Sequence, residues 1–130
     1  MTQDFNLENP VERTPMESLI LLLVILGLSD RQLVYEEQIK IKSIISNHFP
    51  NHSQERYEEL LQANIENVKN LDLKSQTELL NTVSEELKVH YSGTDILPTI
   101  YTELQELLEA DGIVYSFEAQ LLELVNKVWN

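Results

Sequence analysis

Residues 107–125 read LLEADGIVYSFEAQLLELV, two apolar stretches on either side of a bend that holds the only glycine of the segment. Leu104, Leu107 and Leu108 recur at three- and four-residue intervals before the bend, and Leu121, Leu122 and Val125 do so after it. That spacing predicts two amphipathic helices. Asp111 followed by Gly112 suits the end of the first helix, and Ser116 can cap the second, with Glu118 near its positive end. The stretch therefore reads as a helical hairpin with an acidic bend.

A related hairpin lies near the start of the chain. LVYEEQIKIKSII (residues 33–45) matches IVYSFEAQLLELV (residues 113–125) at a separation of 80, pairing Val34 with Val114 and Tyr35 with Tyr115. Apolar character is kept at Ile41 and Leu121, at Ile45 and Val125, and at Phe49 and Trp129. Before the bend the separation becomes 81, setting Leu19, Leu23, Leu26 and Asp30 against Ile100, Leu104, Leu107 and Asp111. The change falls in the loop, where an extra residue costs least. Two pseudo-symmetric hairpins around one core are the expected arrangement.

The remaining segments complete an all-α bundle of about six helices. Residues 1–14 are polar and lack periodicity, which predicts a flexible arm followed by a single domain over 15–130. Thr14 and Pro15 suit an N-cap and a first turn, and the run LILLLVILGL (residues 19–28) is apolar on every side. A membrane span needs about 20 such residues, so this run predicts a buried central helix. Pro50 ends the helix that starts at Tyr35. Ile41, Ile44, Ile45 and His48 or Phe49 form the stripe of the second helix. Ser53 and Asp72 can cap a third and a fourth, with Tyr57, Leu60, Leu61, Asn64, Ile65 and Val68 turned inward on the third and Gln76, Leu79, Leu80, Val83, Leu87 and Tyr91 on the fourth. A fifth starts near Asp95, because Pro98 is tolerated only in a first turn.

The chain has 130 residues, a net charge of −13 and no cysteine. Disulfides and thiolate zinc sites are excluded, and a chain this acidic repels nucleic acid and anionic lipid. The N-terminal residues lack the basic start of a secretory signal, so a cytoplasmic, membrane-free location is expected. Between Lys88 and Lys127 there is no Lys or Arg, while seven acidic residues fall there. Such a face either keeps the protein solvated or attracts cations and basic partners.

The acidic bend admits two readings. As a calcium loop counted back from Glu118, it places Glu109, Asp111, Gly112 and Val114 at EF-hand positions 3, 5, 6 and 8, but Leu107 stands at position 1 without a side-chain oxygen. The loop therefore lacks the first ligand of a full EF-hand. What remains is helix termination and capping, which needs no metal, or a divalent cation (calcium, magnesium, manganese or zinc) held by Glu109, Asp111 and Glu118, with Asp30 or Glu37 if the hairpins approach each other.

The repeated hairpin, with D-G-x-[VI]-x-x-x-E between its helices, resembles the TerB-like family, named for tellurite resistance. The resemblance spans residues 16–129 as a pattern, and Asp111, Gly112, Val114 and Glu118 match the motif closely. The first hairpin keeps Asp30 but has Arg31 for the glycine and Gln38 for the glutamate, with Glu37 one residue early. The resemblance implies an internally symmetric cytoplasmic domain of stress response or protein interaction, with acidic bend residues suspected of binding metal.

Catalysis finds no matching constellation. No glycine loop cradles phosphate, and His48 and His52 are separated by Pro50, which denies them one helical face. A non-enzymatic role with a protein partner, favoured to be basic, is expected. The alternative is a small acidic immunity or inhibitor protein covering a basic nuclease or toxin, with Tyr91, Asp95 and Tyr101 as the aromatic and acidic contact residues.

Overall fold

The computed structural model describes residues 13–28, 33–109 and 116–130. They form six helices: α1 (Pro15–Gly27), α2 (Tyr35–His48), α3 (Gln54–Lys69), α4 (Leu73–His90), α5 (Ile96–Leu108) and α6 (Ser116–Trp129). No helix among them is long and apolar enough to cross a membrane.

Helix α1 is the axis of the bundle. Every residue of the LLLVIL core of this helix is buried, and α1 packs against each of the other five helices. Its composition requires this, since a helix apolar on all sides has no face to offer water. The helix starts with a capping box: the Thr14 hydroxyl accepts from the Glu17 N–H at 3.2 Å, and the Glu17 carboxylate accepts from the Thr14 N–H at 2.8 Å. Arg13 and Thr14, placed with the N-terminal arm on sequence, are thus held to the bundle, Arg13 through a 2.6 Å ion pair with Glu86 of α4. The rest of the expected arm lies outside the described residues.

The predicted caps at Ser53 and Asp72 are made, to the backbone N–H of Arg56 and Ser75. The two bonds from Ser75 hold the Asp72 carboxyl below its usual value, so the cap is anionic where the helix end is positive. After α4 the chain turns through Gly93 at φ +79°, a left-handed conformation that side chains with a Cβ rarely adopt. The inward stripes are buried as expected at Ile41, Ile44 and Ile45, at Tyr57, Leu61 and Val68, and at Gln76, Leu80, Val83 and Leu87, whereas His48, Phe49, Leu60, Asn64, Ile65, Leu79 and Tyr91 lie at the edges of their stripes and are half-buried.

Polar contacts fix the helix directions. Lys40 Nζ lies 2.8 Å from Glu106 Oε1, while Asn47 and His48, farther along α2, both reach Glu103, earlier in α5. These two helices are therefore antiparallel. Arg56 at the start of α3 pairs with Glu17 at the start of α1, and Ser18 donates to Glu86 near the end of α4. Trp129 Nε1, at the end of α6, donates to the Ser84 carbonyl of α4 at 2.9 Å. The six helices thus alternate in direction, and both hairpin bends lie at one end of the bundle.

Candidate functional site at the hairpin bends

The two hairpins share their dimensions. Helices α1 and α5 each have 13 residues, and α2 and α6 each have 14. Each helix of the second hairpin starts 81 positions after its counterpart. The buried pairs Ile41 and Leu121, and Ile45 and Val125, keep the expected separation of 80, while the starts of the second helices lie 81 apart, and counting from those starts changes the equivalence at the bends. Glu37, rather than Gln38, occupies the place of Glu118: each is the third residue of its helix, and each is buried, at 0% and 1% exposure. Tyr35, one of the residues paired by the sequence match, is 72% exposed and carries no packing information.

Burying a carboxylate is costly unless it is satisfied locally. Glu37 meets that condition by turning back on its own helix: Oε1 accepts from the Val34 N–H at 3.1 Å, one of the donors a helix start leaves without a partner. Gln38, one residue on, donates through Nε2 to the Leu33 carbonyl at 3.1 Å. Gly27 is buried beneath this bend, where a Cβ would collide with Leu33 Cδ1. Where α1 ends and α2 begins, Gly27 thus leaves room for the Leu33 side chain, and the Glu37 carboxylate binds backbone.

Of the other acidic residues expected in a cation site, Glu109 follows α5 directly and is exposed. Asp30 and Asp111 lie outside the described residues, as do Gly112 and Val114. Among the described residues, no three histidine or acidic side chains converge as a metal site. The structure thus brings the two bends to the same end and buries Glu37 and Glu118 there, while the expected ligand set depends on Asp30 and Asp111. A cleft of about 670 Å³ opens at this end, between Leu28, the α3–α4 corner and Phe117. Its α4 wall is stiffened by Gln76, whose Nε2 donates to the carbonyls of Val68 and Leu71.

Two buried carboxylates elsewhere escaped the reading of apolar stripes. Glu86 accepts from Arg13 and from the Ser18 hydroxyl, and Glu103 accepts from Asn47 and His48. Each ties one helix to another. Glu86 could have been noticed because it directly precedes Leu87 and sits three positions after Val83, on the inward side of α4. The predicted separation of His48 from His52 holds. His48 faces Glu103 across helices, while His52 turns its Nδ1 to the Phe49 carbonyl at 2.7 Å and packs edge-on to Tyr57.

The outer side of the second hairpin carries a further feature. Two clefts, of about 220 and 320 Å³, run end to end between α5 and α6 and share Tyr101. Their walls combine apolar side chains with Glu109 and Glu123. Burial, and then the neighbouring Glu123 carboxylate, raise the Tyr101 phenol above its ordinary value. No family model matches the chain, and no curated protein or solved structure matches it either.

Proposed function

We propose that the chain is a non-enzymatic, TerB-like interaction domain of a stress response, built to bind another protein and to hold a divalent cation at its bend end. The observation that carries this reading is the repeat itself: two hairpins of equal helix lengths, each with a buried glutamate as third residue of its second helix, at one end of the bundle. A doubled bend of this kind supports the resemblance on which the reading rests. The cation would be held by Glu109, Asp111 and Glu118, with Asp30 from the other bend. Glu37 would contribute least, because one of its oxygens already serves the Val34 N–H.

Thermal melts with millimolar Ca²⁺, Mg²⁺, Mn²⁺ or Zn²⁺ test the cation, since an ion bound only by the folded state raises the transition by mass action. The expected result is a rise for one ion in the wild type that is absent from an Asp111→Asn, Glu118→Gln variant. No rise with any ion, or an equal rise in the variant, refutes that part. Affinity capture from host cells tests the interaction role, and the expected product is a stoichiometric protein partner.

The excess of acid over base on α5 and α6 favours a second reading, an immunity or inhibitor protein. Capture of a single basic nuclease or toxin, with loss of its activity in the complex, would establish that role in place of a stress-response module.

A further inference from the structure

We propose that the groove between α5 and α6 is the docking site for an amphipathic helix of a partner protein, about twelve residues long, whose apolar stripe is flanked by Lys or Arg. This rests on the interaction reading above and specifies the surface and the chemistry of what it binds.

The floor of the groove is apolar and already ordered. Leu97, Tyr101 and Leu108 come from α5, and Leu122 and Trp129 from α6. Leu108 is fully buried, whereas the other four are only partly covered by the bundle, so each has surface left to bury. The Trp129 ring is fixed, because its only N–H donor is committed to the Ser84 carbonyl. A wall fixed before binding lowers the ordering cost of association.

The length of the groove selects a helix. From Leu97 to Glu109 it follows α5 for about three turns, or roughly 18 Å at ~1.5 Å per residue. A helix laid along it would place anchors at i, i+4, i+7 and i+11 against the floor.

Charge selects its composition. Glu109 and Glu123 stand exposed on the rim, and no basic side chain among the described residues pairs with either. Glu106, one turn away from Glu109 along α5, has Lys40. The groove thus keeps a net negative rim over an apolar floor, in a segment with no Lys or Arg from residue 89 to residue 126, and Lys127, one turn after Glu123, makes no ion pair with it. A basic rim on the partner would find its complement here and an acidic one would be repelled. The apolar groove between α2 and α3 lacks this uniform sign, because Lys42 and Glu58 both line it.

The test uses the full chain and a fluorescein-labelled 14-residue helical peptide with leucine at i, i+4, i+7 and i+11 and lysine on both flanks, followed by fluorescence anisotropy. A second peptide carries glutamate in place of every lysine. The expected result is saturable binding of the lysine peptide, at least tenfold weaker in an E109K/E123K variant and in Ala119→Arg, which plugs the groove from an exposed position. All variants are checked for unchanged helix content and melting. A control variant, E58K/E59K on α3, changes the overall charge equally and is expected to bind as wild type does. Equal binding of the two peptides, no saturation below about 1 mM, or equal weakening by the α3 control overturns the proposal. A native partner captured from host cells that still binds E109K/E123K overturns this site and leaves the interaction role standing, whereas failure to capture any partner strikes at that role itself.

Discussion

Replacing Arg13 by alanine removes the only cation among the described residues that reaches Glu86, a carboxylate with 3% of its side chain exposed. Glu86 then keeps the Ser18 hydroxyl, 3.1 Å away, as its remaining donor. Breaking a fully buried ion pair from one side costs about 3–5 kcal/mol. Arg13 is 39% exposed, so water can replace part of what it gives, and the expected loss is about 2–3 kcal/mol. For a domain of this size that lowers the melting temperature by roughly 6–15 °C. Glu86→Gln retains the Ser18 bond and the volume, and should cost less, about 1–2 kcal/mol. The double variant Arg13→Ala, Glu86→Leu removes both charges and leaves an apolar side chain among apolar neighbours, so it should return to within about 1 kcal/mol of wild type. Urea unfolding at neutral pH, followed by far-ultraviolet circular dichroism, measures all three against wild type. The reasoning fails if Arg13→Ala costs less than about 0.5 kcal/mol, or if the double variant is as unstable as the single one.

Two further perturbations follow from the same structure. Tyr57 is 1% exposed and its hydroxyl has no hydrogen-bond partner among the described residues, and burial followed by the nearby Glu58 pushes its pKa up to about 12 from 10. Because the folded value lies above the unfolded one, this group's contribution to stability is whole below pH 10 and is lost as pH rises through 12. Tyr57→Phe should therefore be neutral or stabilising by up to about 1 kcal/mol at pH 7 and should flatten the alkaline limb of the stability profile. An unchanged limb would show that Tyr57 is not its source. Glu37→Ala should cost about 1 kcal/mol through loss of the bond accepted from the Val34 N–H, and Glu37→Gln distinctly less because it keeps an acceptor. Denaturant midpoints separate these, and equal losses would assign the effect to charge.

Much of the fold was legible because apolar spacing and end signals agreed. Pro15, Pro50, Ser53, Asp72 and Pro98 each mark a helix end that the structure realises, and LILLLVILGL could satisfy itself only at the centre. The buried carboxylates were not legible, because a residue that is usually exposed gives no periodic signal when a partner distant in sequence makes its burial tolerable. Arg13 and Glu86 are 73 positions apart. The same limitation explains the bends. Glu37 interrupts the apolar pattern at an inward position, so a match guided by apolar residues holds for Ile41 with Leu121 and Ile45 with Val125 but passes over Glu37 and Glu118 as the buried third residues of their helices. The acceptor set of a cation site was legible only as a composition, since Asp30 and Asp111 fall in the bends, where chain geometry is set by loop conformation and not by a repeating period.

The all-round apolarity of α1 also constrains how the chain is made. It leaves the ribosome first among the helices, yet the last helix it packs against, α6, begins only at residue 116. At ~5–20 residues per second, the nascent chain carries this incompletely covered segment for roughly 5–18 s before its final neighbour emerges. During that interval the most insoluble part of the protein has only early helices or a chaperone to shield it, so translation speed and holdase supply should govern yield more strongly than the stability of the finished molecule.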